Sequence, residues 1–149
     1  MERVAVIGPV AAGKTTLGRA LAAVLDLPWI DLDDVYYADG ATWTDETWAA
    51  HHRELVARDR WLVSGDYRAV AADRFARADL VVWLDPPTWW CAVRAVRRSR
   101  RGRLDCLRWL RRYPRHGRLE TERALAVWPD LDVRRFTAAR NVTVADVVS

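Results

Sequence analysis

Eight residues near the start of the chain, Gly8-Pro9-Val10-Ala11-Ala12-Gly13-Lys14-Thr15, constrain its fold more than any other stretch. They satisfy the pattern G-x-x-x-x-G-K-[ST] at every fixed position. The run before them, Val4-Ala5-Val6-Ile7, is apolar throughout, as in a strand buried on both faces. After them Leu17, Ala20, Leu21, Val24 and Leu25 recur at helical spacing, which predicts a helix from about Lys14 to Leu25. A strand, a tight loop and a helix in this order aim main-chain N–H groups at one point. The helix N-terminus adds its partial positive charge there, so the loop can cradle a phosphate. Gly13 permits a close backbone approach that a Cβ would obstruct. Lys14 reaches the β- and γ-phosphates of a nucleoside triphosphate, the Thr15 hydroxyl can ligate Mg²⁺, and Thr16 lies near the α-phosphate.

Composition sharpens this reading. Of the 24 basic residues, 23 are arginine and the single lysine is Lys14. An arginine fork is too bulky for a tight phosphate loop, where a slender ammonium fits. The chain has 149 residues, 51% hydrophobic and 30% charged, a length and balance that suit one globular domain spanning 1–149. No apolar run is long enough to span a membrane, and Met1-Glu2-Arg3 leads directly into the first strand without a secretory segment. The two cysteines, Cys91 and Cys106, have neither metal nor redox spacing. These features predict a cytoplasmic protein with no membrane partner, as a monomer or a homodimer.

Further along, Trp29-Ile30-Asp31-Leu32, Trp61-Leu62-Val63 and Leu80-Val81-Val82-Trp83-Leu84 read as strands, and Val142-Thr143-Val144 as a last one. Helices are predicted from Asp45 to about Asp59 behind an N-cap at Thr44, around Arg68 to Arg77, from Leu104 to Tyr113 and from Leu119 to Trp128. Another follows Pro87, with Trp89, Ala92, Val93 and Val96 as its core face. Alternating strands and helices give an α/β fold, a parallel sheet covered on both sides.

In such a sheet ligands bind beyond the carboxyl ends of the strands. Those ends supply Asp31, Asp33 and Asp34, then Ser64, Gly65 and Asp66, then Asp85. A hydroxyl that accepts a phosphoryl group needs a carboxylate beside it, and Asp33 is the first choice. Arg94 and Arg98, four apart on one helix face, suit the charge of a triphosphate in transit. Arg68 and Arg74 are weaker candidates for an acceptor or the γ-phosphate, and Trp43 for stacking on a ring. Between Arg94 and Arg123 the chain holds twelve arginines and three acids, a surface suited to phosphates.

With these residues the chain resembles the small P-loop kinases related to adenylate kinase, especially the topology-modulation-protein-like group. The resemblance runs from Val4 to about Arg101, with an echo near Arg140-Asn141-Val142. It rests on Gly8–Thr15, on Leu32-Asp33-x-x-Tyr36, on Arg60-Trp61-Leu62-Val63-x-Gly65-x-Tyr67, and on Leu84-Asp85-x-Pro87 followed by Arg94 and Arg98. It implies a P-loop NTPase fold with a five-stranded parallel sheet of order 2-3-1-4-5 between two helical layers. It also implies ATP and Mg²⁺, an acceptor that is a nucleoside, nucleotide or similar metabolite, and substrate contacts at Asp33, Tyr36 and Trp43. Arg94 and Arg98 would stand at the base of a lid, here shortened and arginine-rich, around residues 94–118. Where the group usually has an acid before Gly65 this chain has Ser64, which leaves Asp66 or Asp33 to help Thr15 with the metal. The leading expectation is therefore a small-molecule kinase. The alternatives are a non-catalytic nucleotide-binding regulator that meets nucleic acid through the basic block, or a simple NTPase; nucleic acid is not the expected partner.

Overall fold

The computed structural model describes residues 1–98 and 103–149; Ser99–Gly102 of the expected lid lie outside them. Five strands, β1 (Arg3–Ile7), β2 (Trp29–Asp31), β3 (Trp61–Ser64), β4 (Leu80–Leu84) and β5 (Asp132–Phe136), form one parallel sheet in the order β2-β3-β1-β4-β5. This is the expected fold class and strand order. Parallel neighbours require crossovers, and α1 (Lys14–Leu25), α2 (Leu32–Tyr36), α3 (Asp45–Val56), a 3₁₀ turn (Arg68–Val70) and α4 (Ala71–Phe75) supply the first ones. They are followed by α5 (Thr88–Arg98), α6 (Arg103–Arg112), α7 (Gly117–Ala126) and α8 (Val144–Val148).

Side chains alternate along the central strands, and each alternate set enters a different core. Val4 and Val6 of β1 join Leu62, Leu80, Val82 and Leu84 under Leu17 and Leu21 of α1, Cys91 and Ala95 of α5, and Val147 of α8. Ala5 and Ile7 join Trp61, Val63, Val81 and Trp83 under Trp48 and Leu55 of α3, Phe75 of α4 and Leu125 of α7. Burial on both faces is why β1 and β4 read as continuous apolar runs.

Two sequence expectations are corrected. The last strand is Asp132–Phe136, not Val142-Thr143-Val144. β5 lies at the sheet edge, where Arg134 and Arg135 reach water, so its sequence lacks the apolar run of a central strand. Thr143 instead forms a capping box with Asp146 and opens α8. The core face of α5 is also different. Cys91 and Ala95 are buried, whereas Trp89, Val93 and Val96 are exposed. Small residues let α5 lie close to Ala11 and Ala12 of the phosphate loop, and the larger ones turn outward.

Candidate active site

The loop between β1 and α1 has the backbone of an anion cradle. Gly8 adopts φ 148°, and a Cβ there would stand 2.3 Å from the Leu84 carbonyl oxygen of β4. No other residue fits that position without moving the strand. Ala11 and Gly13 also have positive φ, 60° and 101°, which folds the loop over on itself. Pro9, Ala11 and Ala12 are buried and fix the loop on the core, while Val10 and Thr16 face outward. Gly13 caps α1 with no side-chain hydrogen bond, and the first turn carries no acid. Among the described residues the leading N–H groups of the helix therefore have no anionic partner.

Lys14 folds back over this cradle, where its Nζ donates to the Pro9 carbonyl at 2.7 Å. Burial pulls its ammonium below the usual lysine range, and the nearby Asp66, Asp33 and Asp31 oppose that pull. The Thr15 hydroxyl donates to Oδ2 of Asp31 at 2.7 Å. Asp31 is buried at the end of β2, and its Oδ1 accepts the N–H of Asp33, so one carboxylate both caps α2 and holds Thr15. A hydroxyl and a carboxylate so joined are hard oxygen donors of the kind Mg²⁺ takes together with phosphate oxygens and water. Among the described residues no cluster of three His, Cys, Asp or Glu side chains forms a self-sufficient metal site. Thr15 and Asp31 fit a metal that takes its remaining ligands from phosphate oxygens and water.

Asp66, expected to help with the metal, is turned elsewhere. Its Oδ2 lies 2.5 Å from NH1 of Arg68, whose Nε donates to Glu120 at 2.7 Å. The carboxylate bonded to Thr15 is that of Asp31, and Ser64 accepts the indole N–H of Trp29 at 3.1 Å. The Asp31/Asp33 spacing of two, which puts both carboxylates at one strand end, is the sequence signal that marks Asp31.

Asp33 is exposed on the first turn of α2, and its Oδ1 accepts the Tyr67 hydroxyl at 2.7 Å. Burial and the neighbouring Asp33 carboxylate push the Tyr67 phenol well above the ordinary tyrosine range, so it stays a donor. Tyr36 packs edge-on against Trp48 and beside Tyr67. Trp43 donates its indole N–H to the Tyr36 carbonyl and stacks on His51 of α3, which turns it toward the protein's own aromatic cluster.

Arg74, a candidate for the acceptor or the γ-phosphate, is occupied inside the protein. It is fully buried and donates to the carbonyls of Gly65 and Asp66 and toward Nε2 of His52. It braces the turn after β3 from behind. Arg94 reaches the phosphate loop: Nε donates to the Ala11 carbonyl at 3.1 Å and NH1 to Asn141 at 2.8 Å. Its NH2 is 4.0 Å from where a Gly13 Cβ would stand, and the guanidinium lies over the Trp90 ring at 4.4 Å. Arg98 is exposed at the last residue of α5. Two arginines of the basic block turn inward, Arg94 to the loop and Arg118 to the buried carboxylate of Asp85.

Residues 10–42 match the family described as shikimate kinase. No curated protein matches the chain. A shikimate kinase from Acinetobacter baumannii in complex with shikimate is 24% identical over 99% of this chain and 88% of its own, with a TM-score of 0.65. A shikimate kinase from Bacteroides thetaiotaomicron is 19% identical over 93% and 86%, with a TM-score of 0.63. A gluconokinase from Sinorhizobium meliloti 1021 is 18% identical over 99% and 87%, with a TM-score of 0.55. The chain carries the P-loop fold of these small-molecule kinases. Among the described residues no helix is long and apolar enough to cross a membrane.

Proposed function

We propose that this chain transfers the γ-phosphoryl group of ATP to a hydroxyl of a small-molecule acceptor. One observation carries the reading. An uncapped phosphate cradle with its lysine, Thr15 tied to Asp31, and an outward carboxylate at Asp33 all lie at the carboxyl end of one parallel sheet. Donor-binding and acceptor-orienting groups are thus in one place, as phosphoryl transfer requires. The motif around Asp33, with Arg60-Trp61 and Tyr67, supports a finer placement beside the topology-modulation-protein-like group.

In this reading the loop N–H groups and Lys14 bind the β- and γ-phosphates, and Lys14 exchanges the Pro9 carbonyl for phosphate oxygen. Thr15 and Asp31 would hold Mg²⁺, which when bound offsets phosphate charge. Arg94 fixes the loop against the Asn141 segment and presents NH2 to the same end of α1. Tyr67 orients Asp33, whose Oδ2 receives the proton of the acceptor hydroxyl. The acceptor oxygen bonds to the γ-phosphorus as the bond from that phosphorus to the β–γ bridging oxygen breaks, and ADP leaves with that oxygen.

The test is ATP and Mg²⁺ with a panel of nucleosides, nucleotides and polyols, read as phosphorylated acceptor. Asp33→Ala lowers kcat by about 10²-fold or more while ATP binding persists. ATP binding without turnover of any acceptor would contradict the proposal.

A further inference from the structure

Arg68, Arg118, Arg135 and Arg140 are each held by a carboxylate. Arg94 is held differently. Among the described residues its partners are neutral: the Ala11 carbonyl at 3.1 Å, the Asn141 amide oxygen at 2.8 Å and the Trp90 ring at 4.4 Å. A guanidinium paired with a carboxylate loses much of its field to that partner. One bonded to a carbonyl and an amide keeps its positive charge for a third group. Arg74 also has neutral partners, but it is sealed behind the turn after β3, while Arg94 lies half-buried at the phosphate loop.

The hold on Arg94 is also directional. Its fork is planar, so bonds at Nε and NH1, with the ring of Trp90 beneath, fix where the remaining nitrogen points. That nitrogen, NH2, is 4.0 Å from the place of a Gly13 Cβ, at the start of α1. Asn141 is exposed, yet its main chain is clamped. Arg140 donates to both oxygens of Asp146, at 2.9 and 2.8 Å, and to the Asn141 carbonyl. Asp146 in turn accepts the N–H and the hydroxyl of Thr143, each at 2.8 Å. Val142, between them, packs on the core shared by α1 and α5. A side chain on so fixed a segment is a firm stop for the guanidinium.

We propose that Asn141 is a positioning residue for nucleotide binding: it aligns Arg94 on the phosphate loop without neutralising it. The inference rests on the ATP-binding half of the reading above and not on the acceptor.

The test is titration of ATP with Mg²⁺ into the parent, Asn141→Ala, Asn141→Asp, Arg94→Met and the double variant Arg94→Met/Asn141→Ala, each with its melting temperature. Asn141→Ala and Arg94→Met each weaken ATP binding about 10-fold, and in the Arg94→Met background Asn141→Ala costs less than about 2-fold more. Asn141→Asp keeps an acceptor for Arg94 and melts no lower than the parent, yet also binds ATP about 10-fold more weakly. A residue that merely glued the segment to α5 would serve better as a carboxylate and leave ATP binding intact. Parent-like ATP affinity in Asn141→Asp or in Arg94→Met overturns the inference, as does a full Asn141→Ala penalty without Arg94. The expected pattern with no acceptor phosphorylated contradicts the kinase reading alone, and no ATP binding by the parent removes both.

Discussion

The hydroxyl of Thr15 and the carboxylate of Asp31 form a side-chain pair that ties the start of α1 to the end of β2. With Thr15→Val or Asp31→Asn, the Mg²⁺ concentration for half-maximal activity rises about 10-fold, read by titrating the metal at saturating ATP. His52 shows a different residue-scale effect. It is fully enclosed, and burial with the adjacent Arg74 guanidinium lowers its pKa from 6.5 to about 3. Above pH 6.5 the imidazole is neutral in both folded and unfolded chains and contributes no pH dependence. As pH falls from 6.5 toward 3 the unfolded chain takes up a proton that the folded one refuses, so stability drops by up to about 1.4 kcal/mol per pH unit. His52→Gln, whose amide oxygen can still accept from Arg74, flattens the slope of stability between pH 6.5 and 4. Urea melts across that range check it, and parallel slopes in parent and variant would contradict it.

At the scale of elements, two buried charges hold the site's walls. Asp85, at the end of β4, is nearly inaccessible and accepts from Arg118 of α7 and Arg135 of β5. Asp85→Ala leaves two guanidiniums without their carboxylate and costs about 3 kcal/mol of unfolding free energy, measured by denaturant titration. Arg74 holds the turn after β3 by its carbonyls, so Arg74→Met loosens Asp66 and Tyr67 and lowers kcat together with stability. Elements that bury an apolar face were legible in the sequence: β1, β4 and α1 fall where their patterns put them. Elements shaped by polar contacts were not. β5 is written in arginines because one packs on Trp83 and pairs with Asp85. The T-x-x-D box of Thr143 was hidden behind two valines that look like strand. The apolar stripe of α5 misled because the helix approaches the loop through its small residues.

Across the whole molecule, the strand order places the phosphate loop at the centre of the sheet, with β3 on one side and β4 on the other. The phosphate loop and Lys14 come from the junction of β1 and α1, and the Asp33 carboxylate from the start of α2. Asn141, between β5 and α8, closes on Arg94 from far along the chain. The phosphate loop was legible because its chemistry is local: eight consecutive residues contain it. Contacts between distant segments were not, since Asp66, Arg68 and Glu120 meet only after α7 folds onto the turn beyond β3, and no spacing records such a meeting. The account therefore stands on the cradle. Calorimetric titration of ATP with Mg²⁺ into the parent protein and into Lys14→Ala measures it most directly. The cradle predicts saturable heat in the parent and binding weakened at least about 100-fold in the variant, with melting temperature nearly unchanged because, among the described residues, the Lys14 ammonium bonds only to Pro9 of its own loop. No heat in the parent, or superimposable isotherms for the two proteins, would contradict it.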